Sequence, residues 1–208
     1  MWRGSKVTRD GELQRLLDLL EAAVTAGAQC DETRVTGRTI FSALSRRAGP
    51  VSSASLQALP VCALLPGAIE LAKASPVAAL AAALAAIAPR LVWSRRHNSD
   101  PRMVPFHHGH ANARIVGPGG LELREDVWIG ASLMAPNVLY VDHDHPPEEV
   151  YVALTPGEWW NAAMDWTAPG IGGTIYNPLG ILHSMRSGAG PFLALWLLPI
   201  NTDGPITY

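Results

Sequence analysis

The segment LYVDHDHPPEEVYVAL, residues 139–154, concentrates side chains that bind metal ions or move protons. Four of them fall at odd positions, namely His143, His145, Glu149 and Tyr151. Side chains two apart in an extended chain point to the same face, so these four converge if the intervening PPE stretch bends tightly between two strands. Glu148 has the opposite parity, which predicts a solvated charge on the other face.

Histidine and carboxylate side chains are common ligands of zinc, iron and manganese. The first motif supplies three candidates, His143, His145 and Glu149. A fourth, His183, ends the downstream stretch PLGILH, whose Pro-x-Gly pattern predicts a turn that feeds a strand. The pattern predicts a site for one divalent metal ion, Zn²⁺, or Fe²⁺, Mn²⁺ or Ni²⁺, since this ligand set fits each of them.

A second group of histidines, His107, His108 and His110, lies in the stretch PFHHGHANAR. Its flanks lack the alternation of a strand, and a glycine interrupts it. The pattern predicts a loop whose histidines are exposed or support the metal ligands from behind. Alternatively, this loop lies over the mouth of the pocket.

The first part of the chain has helical periodicity. Residues 10–27 place leucines at helical spacing, with Asp10 as N-cap and Gly27 as the stop. Weaker helical patterns cover 36–48 and 55–74, and Ser75-Pro76 is predicted to open an alanine-rich helix that Pro89 closes. We therefore expect an α-helical N-terminal region over residues 1–100.

Beyond residue 103 the period of the pattern changes from 3.6 to 2, beginning with the apolar positions of DVWIGASLMAP. Short strands separated by Pro, Gly and Asn are typical of a sandwich or small barrel. We expect residues 101–208 to form this barrel and to hold the metal site, which gives an α+β chain. The predicted strand runs are 127–133, 138–145, 149–154, 158–166, 171–176 and 192–198.

Composition narrows the classes of partner. The net charge is −2 with no basic stripe, which argues against nucleic acid. The most apolar run, residues 75–89, is shorter than the roughly 20 residues that span a bilayer, and the N-terminal residues lack the apolar core of a secretory signal. Cys30 and Cys62 have no zinc or disulfide spacing. We expect a cytoplasmic protein, monomer or homodimer, that acts on a small molecule and not on a membrane.

The pairing of HxHxxxE (143–149) with PxGxxH (178–183) resembles the two motifs of the cupin superfamily. That resemblance implies a double-stranded β-helix, or jelly-roll barrel, around one metal ion. The glycine that closes the first motif falls at Gly157, one place later than usual. One fold hosts many reactions, so the cupin motifs alone do not name the activity.

The stretches LMAPNVLYVDHDHPPEEVYVAL, PLGILHSMR and PFLALWLLP resemble the cupin-type dimethylsulfoniopropionate (DMSP) lyases, closest to the DddQ type. The resemblance implies cleavage of this zwitterionic sulfonium carboxylate to dimethyl sulfide and acrylate by β-elimination. It implies Tyr151 as the base and Tyr140 as a second pocket tyrosine. Where the family usually has proline after that second tyrosine, this chain has Val141-Asp142. The implied metal shell is His143, His145, Glu149 and His183.

Aromatic faces attract cations such as a sulfonium group, and one or two tryptophans of the barrel would suffice to line a sulfonium site. Arg186, three residues after His183, has the parity of the opposite face and is predicted to be a surface or structural residue. A further hypothesis makes the helical region a lid over the barrel. The candidate tryptophans are Trp128, Trp159, Trp160, Trp166 and Trp196.

Three alternatives share the same motifs. The first is another metal-dependent cupin enzyme, such as a dioxygenase or an isomerase, against which only the tyrosine pair argues. The second is a non-catalytic cupin that binds a small ligand and regulates through its helical region. The third is a lyase that acts on a related small carboxylate, because the residues that select the leaving group lie outside the motifs.

Overall fold

The computed structural model describes residues 9–52, 57–96 and 100–200, in which helices precede antiparallel strands. The helices are α1 (Gly11–Gly27), α2 (Asp31–Arg46), α3 (Leu65–Ala72), α4 (Ala78–Ile87) and α5 (Val104–Gly109), with short 3-10 turns at Pro60–Leu64 and Ala88–Arg90. The strands are β1 (Trp93–Ser94), β2 (His110–Val116), β3 (Val127–Met134), β4 (Leu139–His143), β5 (Glu149–Ala153), β6 (Gly157–Asn161), β7 (Met164–Thr167), β8 (Thr174–Asn177), β9 (His183–Ser187) and β10 (Phe192–Pro199).

The strands form two antiparallel sheets. One sheet has six strands in the order β1-β2-β3-β10-β5-β8, and the other has four in the order β4-β9-β6-β7. The segment between β4 and β5 therefore crosses from one sheet to the other. The PPE stretch lies between two strands, as predicted, but these strands do not pair with each other, because β4 pairs with β9 and β5 pairs with β8 and β10.

The predicted bounds of α1 agree with the structure, and those of α2 and the alanine-rich helix differ from it. Asp10 caps α1 by accepting hydrogen bonds from the backbone N–H groups of Glu12 and Leu13. The alanine-rich helix begins at Ala78, two residues later than predicted. The Ser75 hydroxyl donates to the Ala72 carbonyl and accepts from the Val77 N–H in a turn that precedes this helix. Helix α2 begins earlier than the predicted range of 36–48, at Asp31.

Some strands were missed or merged by the sequence pattern. The predicted run at 158–166 is a hairpin of β6 and β7, and strand β2 was not predicted. Strand β9 begins at His183, where the Pro-x-Gly turn was predicted to feed a strand. Strand β1 lies inside the range expected to be helical and joins the six-stranded sheet beside β2, whereas α5 lies inside the range expected to be the barrel. The predicted pattern at 55–74 corresponds to the 3-10 turn and α3, and its first two residues lie outside the described ranges.

Strand β5 is buried on both faces, with alternate side chains in two different cores. Val150 and Val152 pack with the helices, together with Leu193, Leu195 and Leu197 of β10. Tyr151 and Ala153 point instead into the space between the two sheets, where Phe192 and Ala194 of β10 join them. The period of two thus separates a helix-facing layer from the barrel interior.

The helical region covers the outer face of the six-stranded sheet. The Thr174 hydroxyl at the start of β8 donates to the Gly27 carbonyl at the end of α1, at 2.9 Å. The Arg9 guanidinium contacts the buried Glu122 carboxylate at 2.6 Å, and this contact ties the residue that precedes α1 to the barrel. None of the described helices is long and apolar enough to cross a membrane.

The prediction of a loop around His107, His108 and His110 was wrong. The first two lie in α5 and the third begins β2, where its side chain is fully buried. The imidazole of His110 stacks on Phe106 at a centroid distance of 3.9 Å, and its Nε2 accepts a hydrogen bond from the Arg96 backbone N–H at 2.9 Å. His110 therefore joins α5, β2 and the segment after β1.

We expect His110 to make the protein less stable as the pH falls. Burial lowers the pKa of His110 to about 4, against about 6.5 in an unfolded chain. Between these values the unfolded state binds more protons, so stability is present above pH 6.5 and declines as the pH falls toward 4. From pH 7.5 to 5.0 the loss due to His110 should be about 2 kcal/mol.

Urea unfolding at both pH values checks this expectation in the parent and in His110→Gln, whose amide oxygen still accepts from Arg96. The variant should lose about 2 kcal/mol less than the parent over this interval. His108→Gln, which makes the same change at an exposed position, should behave as the parent does. An identical pH dependence in the parent and in His110→Gln would contradict the burial argument.

Candidate metal centre and cavity

Three of the four predicted ligands meet at the end of the barrel where β5 and β9 begin. Donor atoms of His145, Glu149 and His183 all lie within 4.8 Å of one another. Nε2 of His145 and Nε2 of His183 are each 3.3 Å from the same Glu149 oxygen, Oε2. The nitrogens and the carboxylate therefore face one common point, as ligands of a single ion do.

The histidine rings are oriented by the backbone of their own segments. Nδ1 of His143 donates to the Val141 carbonyl, and Nδ1 of His183 donates to the Ile181 carbonyl, each at 2.9 Å. Nδ1 of His145 donates at the same distance to the Pro147 carbonyl. A carbonyl can only accept, so each ring carries a proton on Nδ1, and Nε2 is the nitrogen left to bind a metal ion.

The donor set fits a divalent metal ion. Nε2 of His183 is buried and makes no aligned hydrogen bond in the described structure, although an unsatisfied buried nitrogen is costly. Two neutral imidazoles and a carboxylate are ligands that zinc, iron, manganese and nickel accept. Coordination of a metal ion would give the buried Nε2 of His183 the partner that it otherwise lacks.

His143 lies beside this group and outside it. It pairs with His183 across β4 and β9, with ring centroids 4.1 Å apart, but its nitrogens are not among the donor atoms that meet within 4.8 Å. Its role as a fourth ligand stays a prediction. His145 lies after the end of β4, not on the strand as predicted, because Pro146 and Pro147 have no N–H to continue a ladder.

The glycine of the second motif, Gly180, makes the turn that positions His183. Gly180 has a φ of +64°, which side chains other than glycine rarely adopt, and it turns the chain just ahead of β9. The Gly180 N–H donates to the His145 carbonyl at 3.1 Å. This hydrogen bond joins the two motifs directly, so the turn that delivers His183 also fixes the backbone of His145.

One cavity of about 490 Å³ is lined by His145 and Glu149 and by both predicted tyrosines. His183 is buried next to these two ligands and does not itself line the cavity. Tyr151 projects from β5, two residues beyond Glu149 on the same face, and Tyr140 projects from β4 in the other sheet. Tyr140 is in edge contact with Phe106, at a centroid distance of 4.7 Å. The described helices before Ser94 contribute no lining residue, whereas residues 94–96 of the same N-terminal region do. That the helical region forms a lid stays a prediction.

Burial governs the protonation of the groups in the cavity. It raises the pKa of Tyr140 to about 12, and with the Glu149 carboxylate it raises the pKa of Tyr151 well above 10. Burial and the neighbouring His183 lower the pKa of His143 to about 3. Burial alone would raise the pKa of Glu149, but His145 and His183 outweigh it and hold that pKa below its usual value.

The tryptophans lie in three places: the cavity, the core between the two sheets and the surface. Trp128 and Trp196 line the cavity, whereas Trp159 is fully buried between the sheets. The Arg186 guanidinium lies over Trp166 at 4.3 Å and pairs with Glu158 at 2.8 Å, which confirms the predicted surface role of this arginine.

Glu148 faces away from the metal-ligand group, as its parity predicted. It is not simply solvated, because its carboxylate accepts a hydrogen bond from the Tyr176 hydroxyl at 2.7 Å. The two adjacent glutamates of the first motif therefore have separate partners on opposite faces of β5.

Sequence reasoning missed several polar residues that line the cavity. Asn112 and Ser132 occupy paired positions of β2 and β3, and Arg95 and Arg96 come from the segment after β1. Because strand β2 was not predicted, the sequence pattern gave no reason to expect Asn112 across the cavity from the first histidine motif. The one available signal was Asn112, a polar residue between two alanines that are fully buried.

Loss of one ligand should remove bound metal. We expect His183→Ala to weaken zinc binding by more than the roughly 10- to 100-fold that changes behind the ligands cause, because it deletes a donor atom itself. Metal content after dialysis and the rise of Tm on adding zinc measure this. His108→Ala, at an exposed position, is the matched control.

His143→Ala in the same series decides the fourth position. An affinity loss equal to that of His183→Ala would assign His143 to the metal shell, and a loss of tenfold or less would place it behind the ligands. If His183→Ala kept its zinc, the centre would be wrongly located.

Comparisons with known proteins agree on one family. A family model described as dimethylsulfoniopropionate lyase matches residues 32–194. A protein of Cereibacter sphaeroides, provisionally assigned as the dimethylsulfoniopropionate lyase DddL, is 32% identical over 130 residues, which are 62% of this chain and 54% of that protein. The chain thus spans about half the length of this relative.

Solved structures support the same fold. A chain from the crystal structures of the DMSP lyases RdDddP and RnDddQII superposes with a TM-score of 0.67 at 21% identity, covering 93% of this chain and 95% of that one. The DMSP lyase DddQ from Ruegeria pomeroyi DSS-3 superposes with a TM-score of 0.65 at 20% identity, covering 96% of each chain. The predicted α+β fold with a C-terminal cupin is confirmed. Because the family model matches residues 32–194, which are most of the chain, the chain belongs to the dimethylsulfoniopropionate lyase family.

Proposed function

We propose that this protein cleaves dimethylsulfoniopropionate to dimethyl sulfide and acrylate by β-elimination, as a carbon–sulfur lyase that needs one divalent metal ion. The observation that carries the proposal is the shared cavity, in which His145 and Glu149 meet Tyr140 and Tyr151. The buried His183 completes the ligand group from beside the cavity. Family membership supports the substrate.

The reaction needs a base near the carbon next to the substrate carboxylate. The Tyr151 phenolate takes the proton from that carbon, and the C–H electron pair forms the new carbon–carbon double bond. The bond from the β carbon to sulfur breaks with its electron pair on sulfur, which leaves as neutral dimethyl sulfide. Acrylate remains, and the phenol of Tyr151 returns its proton to water.

Tyr151 is suited to this role by its position more than by its intrinsic acidity. A tyrosine with a raised pKa is a neutral phenol at pH 7, and burial beside Glu149 favours that form. A divalent cation held by His145, Glu149 and His183, with His143 as the predicted fourth ligand, would supply Lewis acidity toward a carboxylate and favour the phenolate. Zn²⁺, Fe²⁺, Mn²⁺ and Ni²⁺ all suit these ligands.

The remaining walls of the cavity suit a small zwitterion. Trp128 and Trp196 present aromatic surface, which attracts a sulfonium cation by roughly 0.5–2 kcal/mol per contact. One face of Trp128 is covered by the Arg114 guanidinium, 4.0 Å from the ring centroid, so Trp196 is the better placed of the two. Trp196 pairs with Tyr151 across β10 and β5, beside the proposed base.

Replacing Tyr151 with phenylalanine should abolish turnover while the metal stays bound. We expect kcat to fall by roughly 10²- to 10⁴-fold, the usual contribution of a general base. Headspace dimethyl sulfide released from DMSP by the purified protein measures turnover, with metal content determined on each sample. Tyr176→Phe is the matched control, because this tyrosine pairs with Glu148 outside the cavity.

The outcomes separate the parts of the proposal. A metal-loaded parent that releases no dimethyl sulfide would exclude DMSP as substrate, and release of another leaving group from a related carboxylate would then identify the closest alternative. Oxygen consumption would instead indicate a dioxygenase. A Tyr151→Phe variant as active as the parent would exclude Tyr151 as the base.

A further inference from the structure

Tyr140 is joined to two cavity residues that have no assigned role. Asn112 of β2 and Ser132 of β3 are opposite each other in the six-stranded sheet, whereas Tyr140 belongs to the four-stranded sheet. The Ser132 hydroxyl lies 2.7 Å from Asn112 Oδ1, and Asn112 Nδ2 lies 2.9 Å from the Tyr140 hydroxyl. This chain of hydrogen bonds crosses the barrel from one sheet to the other.

The two distances and the orientation of the Asn112 amide favour one order of donors. Hydrogen bonds from hydroxyl to oxygen are most often about 2.7–2.8 Å long, and those from N–H to oxygen about 2.9–3.0 Å. The shorter contact therefore fits the Ser132 hydroxyl donating to the amide oxygen, and the longer one fits the Asn112 amide N–H donating to the phenol oxygen. Rotating the amide by half a turn would reverse both assignments, and each distance would then lie further from the most common length for its type of hydrogen bond.

This order of donors leaves the proton of the Tyr140 hydroxyl uncommitted. The phenol oxygen receives the Asn112 N–H, and no described residue accepts the Tyr140 proton in return. Tyr140 is 4% exposed and lines the cavity, so a ligand that occupies the cavity is the partner within reach of its O–H group. A buried donor without an acceptor is costly, and a carboxylate oxygen is the acceptor that would satisfy it most strongly.

We propose that Asn112, held by Ser132, positions Tyr140 as a hydrogen-bond donor to the carboxylate of the ligand in the cavity. Asn112 and Ser132 are positioning residues, and Tyr140 is the group that contacts the ligand. The proposal rests on the proposed function for the identity of the substrate, but it applies to any small carboxylate that enters this cavity. It gives the two tyrosines different tasks, Tyr151 accepting a proton and Tyr140 retaining one.

Asn112→Asp tests the direction of the hydrogen bond. An aspartate has nearly the shape of asparagine but can only accept, so it would take the Tyr140 proton and leave the cavity without its donor. We expect acrylate, the product and a simple carboxylate, to bind metal-loaded Asn112→Asp about tenfold more weakly than the parent, the effect of one lost hydrogen bond. Tyr140→Phe should lose a similar factor.

The double variant Asn112→Asp/Tyr140→Phe isolates the hydrogen bond from the added negative charge. With Phe at position 140, the aspartate should weaken acrylate binding less than threefold. Equal losses with Tyr or Phe at position 140 would show that the charge alone acts and would overturn the proposal. Unchanged binding by Asn112→Asp would overturn it too, since Tyr140 would then already donate to Asn112.

Ser132→Ala supplies a second, neutral test. Without the serine hydroxyl the amide of Asn112 is free to rotate, and we expect acrylate binding to weaken two- to fivefold with metal content and Tm unchanged. Ser184→Ala is the control, because the Ser184 hydroxyl donates to the Tyr140 carbonyl and not to the Asn112 chain. Equal affinity in the parent and Ser132→Ala would count against the proposal.

Binding of acrylate by calorimetry does not require turnover. A parent that binds acrylate but releases no dimethyl sulfide would refute the proposed function and leave the role of Asn112 open to the same variants. A parent that releases dimethyl sulfide, with an Asn112→Asp variant that keeps both its acrylate affinity and its kcat/KM, would refute only the role of Asn112.

Discussion

The alternation of side chains along β5 is the constraint on which the rest of the structure depends. Glu149 and Tyr151 point into the barrel, while Val150 and Val152 pack under the helices. Both faces of the strand are buried, so a shift of its pairing register by one residue would exchange them. The carboxylate and the phenol would then lie among the leucines under the helices, and the two valines would point into the cavity. The register that buries the valines is the same register that aims the candidate chemistry at one cavity.

The histidines obey a more local rule. Each uses Nδ1 on a carbonyl only two residues away in the sequence, so the ring orientation is set within its own segment. The tertiary fold then brings the two segments together, and the hydrogen bond from the Gly180 N–H to the His145 carbonyl joins them. The site is thus assembled from two short pieces of chain that are each already arranged.

The sequence was sufficient for the parts of the structure that have a strong period or a strong turn signal. Asp10, the leucines of α1 and the spacing of His145, Glu149 and His183 all led to correct expectations about structure or proximity. It was insufficient where long-range pairing decides. Strand β2 alternates only weakly, because the buried positions beside Asn112 hold the small residues Ala111 and Ala113. Asn112 could therefore not be placed beside Tyr140 before the sheets were known.

The absence of cavity-lining residues from the described helices before Ser94 has a consequence for engineering. The apolar core between the helices and the outer face of the sheet stabilises the fold and is spatially separate from the reacting groups. Mutations that repack this core, for example around Leu193 and Val152, can raise thermal tolerance on one side of the sheet while the other side is varied for new substrates. A laboratory evolution programme could therefore optimise the two properties in separate libraries and combine the winners.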